Sequence, residues 1–246
     1  MGKLDGKIAI VTGAGQGIGR GIAEKLAAEG ATVAVTDINE ATAKETAQAV
    51  GGVGIACDVT SREDVAAMVA GVRRQFGRID VLVNNAGWDK VGPFVDSDPA
   101  DWDRVIAINL YGVLHTCKAV PPIMAGQGGG SVVNLASDAG RVGSSGEAVY
   151  AAAKGGIIAF TKTIAREVAR SGINANAVCP GPTDTPLFAS IGGDNPKLRE
   201  ALIRAIPLRR LAQPSDLANV VAFLASDEAT YVTGQTVSVS GGLTMS

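Results

Sequence analysis

Tyr150 is followed four residues later by Lys154 and preceded thirteen residues earlier by Ser137. Residues i and i+4 of a helix share a face, so the Lys154 ammonium can lie beside the Tyr150 phenol and favour its ionised form. A phenol so placed is a candidate general base. The same spacing is common on solvated helix faces, so the pair takes its meaning from the rest of the chain. Asn109 lies inside a helical pattern, where an asparagine side chain competes for backbone bonds and most often solves a local hydrogen-bonding problem. His115 is the only histidine; it excludes a His-rich zinc site and reads as packing or surface. No spacing in the chain suggests a metal site.

A second chemistry sits near the amino terminus. Thr12-Gly13-Ala14-Gly15-Gln16-Gly17-Ile18-Gly19 follows an aliphatic run and opens into a helical pattern. Glycines there let a pyrophosphate approach the backbone, and the helix start offers unpaired N–H groups. Asp37, eighteen residues beyond Gly19, ends the second aliphatic run, where an acid can accept from both ribose hydroxyls of an adenosine and would repel a 2′-phosphate. No Arg or Lys lies between Gly13 and Gly19, so NAD is expected rather than NADP. The competing role for Asp37 is a loop cap. Asp58, followed by Val59, reads equally as an adenine contact or a turn cap. Asn84-Asn85-Ala86-Gly87 offers amides that tie loops together and a glycine that allows close cofactor approach.

Elements that would position these groups alternate along the chain. Aliphatic runs at 7–12, 31–36, 53–57, 80–84, 130–136, 173–178 and 236–239 predict seven buried parallel strands. Helical patterns fall at 17–29, 40–50, 62–76, 99–124, 150–171 and 214–225, with Ser61 and Ser215 as capping residues. The alternation predicts an α/β fold with a doubly wound, seven-stranded parallel sheet of the Rossmann type, and ligands outside the carboxyl ends of the strands. The 246 residues are expected to form a single domain. A Gly- and Pro-rich stretch from 180 to 195 reads as irregular, and a substrate lid is expected around 182–200; a plain surface loop is the competing reading.

Composition narrows the class further. The formal charge is −2 with dispersed signs, so the electrostatic footprint of a nucleic-acid binder is absent. Hydrophobic residues make up 46% and aromatic ones 4%, which suits an aliphatic interior. Cys57, Cys117 and Cys179 are odd in number and widely spaced, as in a reducing cytoplasm. The chain begins without an apolar signal region, and no run approaches a membrane span, so a soluble, unprocessed cytoplasmic protein is expected.

Taken in order, Thr12–Gly19, Asn84–Gly87, Asn109, Ser137, Tyr150–Lys154 and Pro180-Gly181 resemble the short-chain dehydrogenase/reductase family along the whole chain. The resemblance implies that Tyr150 is the acid/base, that Ser137 orients the substrate oxygen, that Lys154 also binds the nicotinamide ribose, and that Asn109 holds a water beside the lysine. It implies cofactor contacts at Gly13, Gln16, Gly17, Ile18, Gly19, Asp37, Asp58, Val59, Asn85, Ala86, Gly87, Tyr150, Lys154, Pro180, Gly181, Thr183 and Thr185, the last at the carboxamide. Homotetramers are common in the family, and Ala151-Ala152-Ala153 with Gly155-Gly156 offers a small-residue surface that packs against another subunit or against the sheet.

Within the family, Gly87-Trp88-Asp89, the stretch from Ser137 to Tyr150, Cys179–Thr185 and 238–245 resemble most closely members that oxidise 2-hydroxycyclohexanecarbonyl-CoA. The implied substrate is a small-molecule secondary alcohol, a cyclic or short-chain 3-hydroxyacyl-CoA, with Trp88, Val142 and Leu187 forming an apolar slot beside Ser137 and Tyr150. Trp88 as ordinary loop packing is an even alternative. The other readings are a 3-oxoacyl-ACP or 3-oxoacyl-CoA reductase, which normally resembles an NADPH user, and a dehydrogenase of sugars, polyols or cyclic alcohols. A non-catalytic NAD sensor is the reading from another class, opposed by the intact Ser137, Tyr150 and Lys154.

Overall fold

A computed structural model describes residues 2–245. Seven strands, β1 (Ile8–Thr12), β2 (Thr32–Asp37), β3 (Val53–Ala56), β4 (Val81–Asn84), β5 (Gly130–Leu135), β6 (Ile173–Pro180) and β7 (Thr236–Val239), form one parallel sheet in the order β3-β2-β1-β4-β5-β6-β7. The order reverses between β1 and β4. That switch point opens a crevice at the carboxyl ends of these two strands, where ligands of doubly wound sheets bind.

Both sheet faces are covered, so strand residues are buried on both sides rather than alternately. Ala9 and Val11 of β1 pack with α1 (Gly17–Ala28) and α11 (Pro214–Ala225) in one apolar cluster. Ile8 and Ile10, pointing the other way, join α3 (Arg62–Phe76), α5 (Gly112–Ala119) and α8 (Ala148–Val168) in the second. Burying each such aliphatic side chain contributes about 2 kcal/mol, which is why β1 tolerates no polar face. The remaining helices are α2 (Glu40–Val50), α4 (Pro99–Ile106), α6 (Pro121–Gly126), α7 (Ala139–Val142), α9 (Pro186–Phe188) and α10 (Pro196–Ala205).

Four expectations are corrected. The helix expected over 99–124 is divided: a π turn at Ala107–Tyr111 separates α4 from α5, and Pro121-Pro122, which carry no N–H, start α6. The stretch from 180 to 195 is not irregular throughout. β6 runs on to Pro180, α9 starts at Pro186 after the link 181–185, and a turn at Ala189–Gly193 kinked at Gly192 (φ +107°) leads into α10. Asn195 caps α10 by accepting from Lys197 N at 3.0 Å. Ser61 does cap α3 through Asp64 N. Ser215 caps nothing, because α11 starts from a capping box between Gln213 and Asp216. Finally, the catalytic helix starts two residues earlier than expected, at Ala148, behind the short α7 that sequence reading missed.

Candidate active site

The glycine turn leaves β1 with Gly13 at φ +60° and Gly17 at φ +56°, conformations that L side chains rarely adopt. A Cβ on Gly13 would also stand 2.7 Å from Ala86 Cα, so the turn and the end of β4 touch backbone to backbone. Asn85 fastens them. Its Nδ2 donates to Thr12 O (3.0 Å) and Gly13 O (2.9 Å), while Asn85 N and Ala86 N donate to Thr12 Oγ1. Its neighbour Asn84 points inward, donating to Asn134 Oδ1 (2.8 Å) and accepting from Thr116 Oγ1 (2.6 Å). The start of α1 carries no side-chain cap and no acidic residue in its first turn, so its N–H groups face the crevice free. An uncapped helix start behind a crowded glycine turn is the cradle a pyrophosphate needs, and a nicotinamide dinucleotide fits it. Gln16 is exposed at the N-cap, Gly19 is buried, and Ile18 packs on the core beneath.

Asp37 ends β2 with one oxygen accepting from Gly15 N (2.9 Å) and the other from Asn39 N (3.0 Å). It thus does the loop-capping work weighed from sequence while standing beside the glycine turn. Ile38 next to it is 73% exposed, and Arg20 is taken up by Glu24 and Glu45. Asp58 is committed to its own turn, accepting from Thr60 N and Thr60 Oγ1. Val59 is buried: its side chain would meet a Cβ on Gly112 at 2.8 Å, and its carbonyl meets His115 Nδ1 at 3.0 Å. His115 is therefore a packing residue.

Tyr150 and Lys154 share a face near the start of α8, and the Lys154 Nζ lies 5.5 Å from the phenol ring centroid. Lys154 is buried and donates to Leu135 O at 2.8 Å. Burial lowers its pKa to about 8. The expected lowering of the phenol is not what the protein alone produces. Burial first, then the carboxylates of Asp89 and Glu147, push Tyr150 well above the usual tyrosine value, with the Ser137 hydroxyl pulling weakly the other way. Ser137, at the exit of β5, accepts from Ala139 N at 3.1 Å, which turns its hydroxyl oxygen toward α7.

Asn109 sits fully buried in the middle of the π turn, a distortion that often marks functional sites. Its Nδ2 donates to Trp88 O (2.6 Å) and Val105 O (2.9 Å), and its Oδ1 accepts from Trp88 N at 3.4 Å. The side chain thus ties the loop after β4 to its own helix. Gly87 makes room for it, since a Cβ there would stand 3.0 Å from Asn109 Oδ1 and 3.6 Å from Lys154 Nζ.

Around this centre lie the expected cofactor and substrate contacts. Pro180 pairs with Val239 and Gly181 N donates to Val239 O, ending β6 beside β7. Thr183 is buried and donates to Gly181 O, and Thr185 caps α9 by accepting from Phe188 N. Thr185 also faces the glycine turn, its side chain 3.5 Å from where a Gly17 Cβ would be. Trp88 is half-buried with the Arg104 guanidinium 4.1 Å over its ring, Leu187 is half-buried, and Val142 is 61% exposed. Gly155 and Gly156 pack internally, against Gly140 O and Leu110, so within the small-residue stretch they serve the subunit itself. Sequence reading passed over Asp89, Glu147 and Asp138. Asp138 is buried, accepts from Ser238 Oγ (2.7 Å) and lies 3.8 Å from Arg141, joining the loop after β5 to the carboxyl end of β7. Among the described residues, no group of three His, Cys, Asp or Glu side chains could hold a metal ion, and no helix is long and apolar enough to cross a membrane.

The glycine turn thus lies at the switch point, and Tyr150 and Lys154 stand beside the end of β5, just before Ser137. A family model described as enoyl-(acyl carrier protein) reductase matches residues 13–244. The chain is 44% identical over 245 residues to the 3-oxoacyl-(acyl-carrier-protein) reductase FabG of Staphylococcus epidermidis RP62A, covering 97% of this chain and 99% of that one. It is 41% identical to the Escherichia coli K12 protein of the same name, with 98% and 99% covered. A solved structure from Sinorhizobium meliloti 1021, described as a short-chain alcohol dehydrogenase, superposes with a TM-score of 0.92 at 38% identity, covering 98% of this chain and 97% of that one. The chain belongs to the short-chain dehydrogenase/reductase family. It is an oxidoreductase that binds a nicotinamide cofactor and acts on a CH–OH or ketone group.

Proposed function

We propose that the protein interconverts a 3-oxoacyl thioester and the matching 3-hydroxyacyl thioester, with NAD(H) as cofactor and Tyr150 as acid/base. The observation that carries this reading is the grouping of Ser137 and Lys154 about Tyr150, in a chain whose relatives are 3-oxoacyl-(acyl-carrier-protein) reductases by name. The order of expectation from sequence is reversed. The linear 3-oxoacyl substrate now leads, and 2-hydroxycyclohexanecarbonyl-CoA, which none of these relatives names, falls behind it as one member of the same β-oxygenated thioester class.

The bound nicotinamide supplies or accepts the hydride at the carbon. Tyr150, held neutral by burial, gives its proton to the ketone oxygen as that oxygen becomes an alcohol, and takes it back in the reverse direction. A phenol kept in its acid form suits reduction. Ser137 donates to the same oxygen while charge builds on it. The Lys154 ammonium favours the phenolate once the proton has left, and Asn109 fixes the Trp88 loop that walls the site.

Asp37, the exposed apolar Ile38 and the engagement of Arg20 by Glu24 and Glu45 support NAD(H) over a cofactor carrying a 2′-phosphate. Gly13, Gln16, Gly17, Ile18, Gly19, Asn85, Ala86 and Gly87 form the wall for the pyrophosphate and nicotinamide, with Pro180, Gly181, Thr183 and Thr185 opposite. Trp88, Leu187 and Val142 face the acyl group. Residues 182–200 act as the lid, with Gly192 as its pivot and the Asp184–Arg199 pair (2.6 Å) as a clasp. Three buried free cysteines suit a reducing cytoplasm. A homotetramer follows the family habit.

Steady-state rates with linear and cyclic 3-oxoacyl and 3-hydroxyacyl thioesters, each with NADH/NAD and NADPH/NADP, test the reading. Preferred turnover of linear 3-oxoacyl thioesters with NADH is expected; comparable turnover of polyols, or a preference for NADPH, would overturn the respective half.

A further inference from the structure

Asp89 lies five residues beyond the end of β4 and turns inward, only 4% exposed. Its Oδ1 accepts from Lys90 N at 2.7 Å, but Oδ2 is buried with no hydrogen-bond partner among the described residues. A carboxylate oxygen is costly to bury without a donor, so its surroundings have to answer for it. Asp89 lines a cavity of about 30 Å³ whose wall also carries Tyr150, Ser97, Asp101 and Trp102. Lys90 and Phe94 line it too and are exposed, so the cavity communicates with solvent.

The donors around this cavity are engaged elsewhere. Lys90 N holds the other oxygen of Asp89, and Gly92 N donates to Gly146 O at 2.9 Å. Ser97 Oγ donates to Phe94 O and Trp102 Nε1 donates to Ser97 Oγ, each at 2.7 Å. The Arg104 guanidinium lies over the Trp88 ring, and Lys154 Nζ donates to Leu135 O. Asp101 in the wall and Glu147 at the start of α8 add further carboxylates to this side, and an acceptor offers Oδ2 repulsion rather than a bond. The chemistry that complements the cavity is therefore a hydrogen-bond donor. Its volume has room for about one or two water-sized groups, which fits a hydroxyl or an amide N–H and excludes a ring.

We propose that Asp89 is a specificity-determining residue whose Oδ2 accepts a hydrogen bond from a hydroxyl or amide N–H of the substrate, placed in this cavity beside Tyr150. The inference rests on the reading of the substrate as a 3-oxoacyl thioester reduced at Tyr150. Two parts of such a molecule can bring the donor: an amide on the thiol side of the thioester, or a hydroxyl farther along the acyl chain. Either one holds the substrate at a second point besides its ketone oxygen, which fixes the face presented to the hydride. A substrate without the donor leaves the buried carboxylate unpaired and is rejected on that account. Burial pushes the Asp89 carboxyl up to about 7, as befits an acceptor short of donors, and a bound donor favours its ionised form.

Matched pairs of substrates, reduced with the nicotinamide cofactor, test this. The S-(2-acetamidoethyl) thioester of 3-oxobutanoate and its N-methylated amide differ by a single N–H. The S-ethyl thioesters of 5-hydroxy-3-oxohexanoate and 3-oxohexanoate differ by a single hydroxyl. In wild type, kcat/KM for the donor-bearing member of one pair should exceed that of its partner by at least about tenfold, and the pair that shows it identifies the source of the donor. Asp89→Asn, which sets an amide donor where Oδ2 stands, and Asp89→Ala should each bring that ratio within about twofold, while the partner lacking the donor keeps its rate within about threefold. A merely structural role would lower both members together and leave the ratio standing. Equal rates within both pairs in wild type, or a ratio that survives in both variants, would overturn the role of Asp89. Failure of wild type to reduce any of these thioesters would instead overturn the reading of the substrate. If one variant fails to fold, the other and the wild-type ratios still decide.

Discussion

Replacing Asn85 with Ala removes a clamp across the switch point without touching substrate. Its amide donates two bonds, to Thr12 O and Gly13 O, that no other side chain makes among the described residues. Each neutral bond contributes about 1 kcal/mol net, and a part-buried carbonyl left without a donor adds to the loss, so Asn85→Ala should cost about 2–3 kcal/mol. In a chain of this size each kcal/mol lowers the melting temperature by about 2–4 °C, giving a fall of about 5–10 °C. The turn that cradles the pyrophosphate also loses its anchor to β4, and a tenfold weakening of NADH binding corresponds to about 1.4 kcal/mol. Thermal unfolding followed with and without cofactor, and a fluorescence titration with NADH, measure both effects. A melting temperature within about 2 °C of wild type together with unchanged NADH affinity would refute the claim that this amide ties β1 to β4.

Tyr150→Phe should lower kcat at least about a hundredfold, the usual scale of a lost general acid, while NADH binding stays within about twofold. Lys154 is depressed to about 8 by burial, so between about pH 8 and the ordinary lysine value the unfolded chain holds the extra proton and stability should rise with pH. Urea unfolding across that window should show a gain of up to about 3 kcal/mol in wild type, absent in Lys154→Met. Above the ordinary tyrosine value the raised Tyr150 works the other way, and stability should fall. The double substitution Asp37→Ser with Ile38→Arg should move the preference from NADH toward NADPH by at least about tenfold in kcat/KM, because it removes a repelling acid and adds a cation. An unchanged ratio would show that the ribose end is read elsewhere.

Much of this architecture is legible in the chain. Aliphatic runs separated by helical periods give the seven strands, since a strand buried on both faces must be continuously apolar, as Ile8–Val11 is. The glycine turn and the second amide of Asn84-Asn85 are legible because their chemistry depends on local spacing. The π turn is not, since one extra residue within the Pro99–Met124 pattern barely alters its apolar period. Helix α10 is masked by the glycines and prolines before it, although Asn195 followed by Pro196 is a helix-start signal in plain view. The burial of Asp89 is beyond sequence reasoning altogether, because the loop that carries it reads as polar and solvated.

The π turn at Ala107–Tyr111 also fixes helical phase. Each residue advances an α-helix by about 100°, so the added residue lets the segment before it and the segment after it obey different neighbours. Upstream, Arg104 lies over the Trp88 ring and Val105 holds Asn109 toward the Trp88 loop; downstream, Thr116 is keyed to Asn84 and the sheet. Deleting one residue between Ala107 and Tyr111 would restore an unbroken helix and set these two obligations against each other. The molecule could keep its sheet contacts or its wall beside Lys154, but not both, so at this point in the chain residue count matters more than residue identity.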